Sequence, residues 1–170
     1  MKAMLSDSDR AYLLRLARES IASGLDGRAL PQPNKQELSE DLWKMGASFV
    51  TLTIRGNLRG CIGSLEAHQP LVLDVREHAM EAAFEDYRFR PLTRDEFENV
   101  AIEISRLTIP EPLQYSNPAG LPGRLRPGVD GVILKDGYRR ATFLPQVWEQ
   151  LPDAHEFLAH LCVKMGAPAD

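Results

Sequence analysis

Alternating apolar and polar side chains mark a hairpin in the first third of the chain. Residues 48–55 place Val50, Leu52 and Ile54 on one side and polar residues on the other, the two-residue period of a half-buried strand. The dipeptide Gly56-Asn57 favours a tight turn, and residues 58–65 return as the partner strand. The pattern therefore predicts an antiparallel pair.

Further elements follow from the same kind of pattern. Residues 100–109 are predicted as a strand, and Asp136-Gly137 favours a turn between strands at 131–135 and 138–144. In the first of these strands Arg106 shares the apolar face with two isoleucines, where an arginine needs a partner. Apolar positions three or four apart predict three main helices, at 6–23 (ended by Gly24), 70–85 and 153–165, with one short helical turn at 93–97.

These elements predict an α+β fold with a mainly antiparallel sheet and flanking helices. At 170 residues the chain is expected to form a single domain. Prolines interrupt residues 110–127 and set the second hairpin apart as a small accessory lobe, but the stretch is too short to predict two domains.

Composition narrows the function classes. A net charge of −4 argues against non-specific nucleic-acid binding, which needs a concentrated basic surface. The chain has no run of eighteen apolar residues and no signal-peptide pattern, so we expect a cytoplasmic protein outside the membrane. The two cysteines, Cys61 and Cys162, lie far apart in sequence and suggest no disulfide framework.

The sequence LRGCIG at residues 58–63 contains the most informative chemistry. Arg59 and Cys61 are two apart in a predicted strand and so are expected on one face, where a cation favours the thiolate. Gly60 and Gly63 either allow a bulge or let a ligand approach the backbone. Cys61 is thus a candidate nucleophile and Arg59 a candidate anion holder.

A structural interpretation stands beside this one. If Gly56-Asn57 sets the register, Cys61 faces Leu52 on the apolar side, where a free cysteine behaves as a small hydrophobe. A bulge at Gly60 would reverse that facing. The residues leave both interpretations open.

Other candidate residues carry weaker signals. His68, in the loop after LRGCIG, is a weak candidate base for Cys61, although a loop histidine is more often solvated. Asp86 and Arg88 either recognise a polar ligand or form surface ion pairs. The spacing of the histidines and cysteines supports no metal site, and the chain contains no phosphate-binding loop, zinc-protease or hydrolase motif.

Five longer segments fall between residues 46 and 166, namely LRGCIGSLEAHQPL, AAFEDYRFRPLT, IEISRLTIPEPL, RPGVDGVIL and ATFLPQVWEQLP. Together, and in this order, they resemble the AMMECR-one domain family, whose prokaryotic members are called AmmeMemoRadiSam system protein A. The resemblance implies the same α+β fold with a smaller accessory lobe. It also implies a cleft at residues 58–63, with Asp86, Arg88 and Phe89 from the second segment.

The family offers no established reaction and implies no cofactor. Its prokaryotic members are associated with a Memo-like protein, similar to metal-dependent ring-cleaving dioxygenases, and with a radical S-adenosylmethionine protein. We therefore expect a component of a protein-modification or redox system that uses a Cys61 thiolate. The alternative is a non-catalytic module that binds one of those two proteins.

The chain departs from the family pattern at two places. Tyr87 stands where the family usually has proline in D-P-R-F, so we expect a looser turn before Arg88. The sequence ends at Asp170, where relatives commonly continue into another strand, so the resemblance implies a missing C-terminal strand.

Overall fold

A computed structural model describes residues 5–169. The chain divides into two compact units, Met1–Ile109 and Pro110–Asp170. The boundary falls at the first proline of the interrupted stretch. Compactness does not establish independent folding, so the single-domain expectation stays a prediction.

The first unit begins with helix α1, Asp7–Leu25, capped by Ser6 in a reciprocal bond with Asp9. The prediction that Gly24 ends this helix is wrong, because α1 continues through it. A Cβ at Gly24 would lie 2.5 Å from Phe84 and 2.6 Å from Met80, so this glycine allows close helix packing. A short helix α2, Glu40–Trp43, follows.

The sheet of the first unit is antiparallel and centres on strand β1, Met45–Ile54. Strand β2, Asn57–Gly63, pairs along one side of β1. Strand β4, Val100–Leu107, pairs along the other, and the two-residue strand β3, Gln69–Pro70, adds to the start of β1. The three longer strands confirm the predicted ones, with slightly different ends.

Helices cover one face of this sheet. Helix α3, Leu71–Phe84, begins after Pro70 as predicted, and the short helix α4, Arg94–Phe97, begins at a Thr93 cap. Apolar residues of α1, α3 and the inward face of β1 form the core, among them Leu16, Ile21, Val50, Leu52, Val72, Val75 and Ala79.

Arg106 lies on the same face of β4 as Ile102 and Ile104, as predicted, but it is exposed and so does not indicate an internal polar site. It lies near the end of β4 opposite Ser48.

The first hairpin differs from its prediction in two ways that matter for Cys61. The turn is Arg55-Gly56, both with positive φ (52° and 79°), instead of Gly56-Asn57. Thr53 pairs with Leu58, and Leu52 pairs with Gly60, so Arg59 is the extra residue of a β-bulge.

The bulge decides which face Cys61 occupies. Moving the turn by one residue on its own would leave Cys61 opposite Val50, still on the core face. The extra residue shifts the register once more and places Cys61 opposite Thr51. Of the two interpretations that the residues left open, the bulge therefore holds and turns Cys61 away from Leu52, although the extra residue is Arg59 instead of Gly60.

The second unit contains a hairpin, a helix and three 3₁₀ helices, at Pro118–Gly120, Pro122–Arg124 and Pro145–Glu149. Strands β5, Val132–Asp136, and β6, Arg139–Phe143, flank a Gly137-Tyr138 turn, one residue later than predicted. Helix α5, Ala154–Met165, begins at an Asp153 cap as predicted. Trp148 stacks on Phe157 of α5 with ring centroids 3.8 Å apart, and this pair anchors the unit's small core.

Candidate functional site

Two segments 25 residues apart meet at the edge of the sheet. The Asp86 carboxylate accepts a hydrogen bond from the Cys61 backbone N–H at 2.9 Å. The Arg88 guanidinium donates to the Cys61 carbonyl at 3.3 Å. The two side chains thus satisfy the outward backbone groups of β2, which an edge strand would otherwise present to another chain.

Asp86 is the buried centre of this contact, with only 2% of its side chain exposed. Arg88 Nε donates to one of its oxygens at 2.9 Å and Arg88 Nη2 to the other at 2.7 Å. The Arg88 guanidinium holds the pKa of Asp86 at about 2, against the opposing effect of burial, and the Cys61 N–H contributes to the lowering. Asp86 is therefore ionised at neutral pH.

Arg59, the bulged residue, is held by Glu96. Its Nε and Nη2 donate to the two Glu96 carboxylate oxygens, each at 2.9 Å, and Nη2 also donates to the Arg90 carbonyl. The bond from Arg59, supported by Thr93 against a small effect of burial, lowers the pKa of Glu96 to about 2. The predicted anion holder thus already binds a carboxylate of its own chain. The bulge also interrupts the two-residue period on which the expectation that Arg59 and Cys61 share a face was based.

Phe89 lies between the two guanidinium groups. The Arg59 Cζ atom is 5.8 Å from its ring centroid and the Arg88 Cζ atom is 5.5 Å from it, both within cation–π range. The ring therefore joins the Arg59–Glu96 pair to the Arg88–Asp86 pair.

The Cys61 side chain is partly exposed on the face of the sheet opposite the helices. Its Sγ lies 3.2 Å from Thr51 Oγ1, a hydrogen bond in which either atom can be the donor. The outward direction of the Cys61 backbone groups makes Cys61 and Thr51 a non-hydrogen-bonded pair, the type that brings side chains closest.

The glycines of LRGCIG make room for the protein's own backbone. A Cβ at Gly60 would lie 2.1 Å from the Ala82 carbonyl oxygen of α3. One at Gly63 would lie 2.3 Å from the Ser48 carbonyl oxygen of β1. Both glycines, predicted as ligand-binding, thus have a packing role in this structure.

His68 does not join the other candidates. The residue is exposed in the loop after β2, and within residues 5–169 no hydrogen bond links it to Cys61. Two pockets of about 310 and 300 Å³ lie along α1 and the segment that follows it, and no residue of LRGCIG lines either.

Comparison with known proteins identifies the family and the fold. The AMMECR1 family model matches residues 14–170. The chain belongs to the AMMECR1 family. A protein of Methanothermobacter thermautotrophicus is 41% identical to it over 99% of this chain and 88% of its own length. A Methanosarcina barkeri protein is 39% identical over 98% of this chain and 84% of its own.

A solved member has the same architecture. The crystal structure of the uncharacterized protein PH0010 from Pyrococcus horikoshii matches this AMMECR1 chain with a TM-score of 0.84 and 36% identity. The match covers 93% of this chain and 80% of that one. The α+β fold with mainly antiparallel pairing is therefore the fold of the family.

The sequence alone does not identify two residues of the site, Glu96 and Thr51. Glu96 lies in the pattern Thr93-x-x-Glu96, a readable helix cap, but nothing local indicates its bonds to Arg59. In the sequence, Thr51 is one of several polar residues on the outer side of a predicted strand. Only the bulged register identifies it as the neighbour of Cys61.

Two further observations concern metal binding and membrane insertion. Across residues 5–169, no group of three or more His, Cys, Asp or Glu side chains is arranged to hold a metal ion. In the same part of the chain, no helix combines the length and apolar character needed to cross a bilayer.

Proposed function

We propose that this AMMECR1-family chain is a cytoplasmic component of a protein-modification or redox system and that it acts through the Cys61 thiol. The observation that carries the proposal is the β-bulge at Arg59, which turns Cys61 away from the core to a partly exposed position. Arg88 supports the same position, because its guanidinium holds the Cys61 carbonyl while it is ion-paired with Asp86.

Alkylation kinetics test this proposal. The native chain is treated with iodoacetamide at neutral pH, and the labelled peptides of Cys61 and Cys162 are quantified separately by mass spectrometry. We expect Cys61 to react faster than both Cys162 and a free-thiol reference, and Arg88→Ala to slow it. Labelling of Cys61 only in denaturant would contradict the proposal.

The alternative function is a non-catalytic module that binds a Memo-like protein or a radical S-adenosylmethionine protein. Two observations favour it. Arg59 is engaged by Glu96 and His68 lies apart, so neither serves Cys61 directly. Tyr87 is 94% exposed between Asp86 and Arg88, both anchored to the Cys61 backbone. Tyrosine is one of the residue types enriched among those that contribute most to binding at protein interfaces.

Co-purification with each of the two proteins tests the alternative. Tyr87→Glu should weaken the complex about 30-fold or more, because truncating an interface anchor costs about 2 kcal/mol. Tyr138→Glu, at a fully exposed tyrosine of the β5–β6 turn, is the matched control and should leave binding unchanged. Cys61→Ser should also preserve the complex. Equal effects of the two tyrosine substitutions, or no complex with either protein, would contradict it.

A further inference from the structure

A buried polar cluster joins α3 to the central strand on the core side of the sheet. Ser48 of β1 is fully buried, and both its backbone N–H and its hydroxyl donate to the same Asp74 oxygen, Oδ2, at 2.8 and 2.6 Å. Asp74 exposes 2% of its surface. A buried carboxylate needs such donors and, beyond them, a positive charge.

His78, one helical turn after Asp74, supplies that charge when protonated. Its Nδ1 lies 3.1 Å from the same Asp74 Oδ2. Nδ1 is buried and makes no hydrogen bond of acceptable angle, so the contact is one between charges. The opposite ring nitrogen, Nε2, lies 3.9 Å from Glu81. The imidazole is thus placed between two carboxylates.

Burial disfavours the charged imidazole, but the carboxylates outweigh it. Asp74, then Glu81 and Glu77, raise the pKa of His78 above its ordinary value of 6.5. For Asp74 burial acts in the opposite direction, yet His78 and Ser48 lower its pKa below the ordinary 3.8. All three carboxylates belong to α3, and β1 faces the cluster with an uncharged serine.

Three other elements have uncharged residues against α3 or in its core. Gly60 of β2 lies against Ala82, Gly24 of α1 lies against Phe84, and Leu42 of α2 is buried in the same core. Arg106 of β4 pairs with Ser48 at the exposed end of the sheet, and the charges that act on His78 are the carboxylates of its own helix.

We propose that Ser48, Asp74 and His78 form a pH-sensitive latch that holds α3 on β1, closed while His78 is protonated. Loss of the proton leaves the Asp74 carboxylate buried without its cation, which weakens the docking of α3. The contribution of His78 to stability is complete below pH 6.5 and disappears as pH rises through its raised pKa. The contribution of Asp74 is complete above pH 3.8 and disappears only at still lower pH.

The latch acts near LRGCIG without depending on a reaction there. Ala82, one turn after His78, is the residue whose carbonyl oxygen lies against Gly60. Ser48 also accepts a hydrogen bond from the Ser64 N–H, just after β2. Opening the latch should therefore loosen both ends of the contact between α3 and the first hairpin.

NMR titration of the intact chain tests the latch, because the other three histidines serve as internal references. His68, His155 and His160 are all exposed. We expect the His78 ring signals to titrate at a higher pH than those three, and the Ser48 amide signal to shift with the same midpoint. A His78 midpoint at or below those of the references would overturn the proposal.

Two variants complete the test. His78→Gln should abolish the pH response of the Ser48 amide, whereas His68→Gln, the matched control, should preserve it. A Ser48 response that persists in His78→Gln would also overturn the proposal. If His78→Gln fails to fold, the titration of the unsubstituted chain decides the question by itself.

Discussion

Glycine at position 60 is required by the way α3 crosses β2. A Cβ there would lie 2.1 Å from the Ala82 carbonyl oxygen, and this oxygen belongs to helix backbone that cannot rotate away. The close crossing brings the end of α3 beside β2. Asp86, two residues past the helix, then reaches the Cys61 N–H. The absence of a side chain at Gly60 therefore allows the close crossing that brings Asp86 within reach of Cys61.

Substitution of this glycine should be costly. We expect Gly60→Ala to lower the free energy of unfolding by about 2 to 3 kcal/mol, because the added methyl group forces α3 away from the strand. Urea unfolding measures the change. Gly123→Ala is the control, since nothing lies within 4 Å of its Cβ position, and it should be neutral or slightly stabilising. Equal effects of the two substitutions would contradict the claim that the contact with Ala82 requires glycine at position 60.

At the scale of elements, β2 is an edge strand whose outer side is covered by side chains. Asp86 and Arg88 bind the Cys61 N–H and carbonyl as a neighbouring strand would. Arg59 adds a bond to the Arg90 carbonyl, so the segment from 86 to 90 follows β2 in the opposite direction. A bulge beside an edge is a common way to stop further pairing, and here it also redirects a cysteine.

Most elements could be predicted because their signals are local. The helix from Asp7 follows from a capping box and a helical apolar stripe, and α3 and α5 follow from similar stripes. The strands follow from the alternation of apolar and polar side chains. Each hairpin turn lies one residue from its predicted place, at Arg55-Gly56 and Gly137-Tyr138, and neither Arg55 nor Tyr138 is a usual turn residue.

The bulge could not be predicted in the same way. Glycine at 60 and cysteine at 61 are both small, so the hydrophobic pattern of β2 fits either register. The bulged register depends on contacts distant in sequence, from Asp86 and Arg88 to Cys61 and from Glu96 to Arg59. The sequence indicates Asp86 and Arg88 as residues that recognise a ligand or form ion pairs. They pair with each other, and nothing local indicates their bonds to the Cys61 backbone.

At the scale of the whole molecule, the candidate site is one assembly within the first unit. LRGCIG supplies a bulged edge strand, and the segment after α3 supplies the side chains that cover it. PH0010 has the same fold at 36% identity. In the present chain Tyr87 leaves an aromatic ring exposed between two residues that are bonded to Cys61.

Every functional inference about Cys61 depends on the face it occupies, and cross-strand nuclear Overhauser effects in the native chain measure that face directly. We expect contacts between the Cys61 β protons and the Thr51 side chain, with Arg59 unpaired between Leu58 and Gly60. Contacts between Cys61 and the Leu52 methyl groups would instead place the thiol in the core and contradict the bulged register.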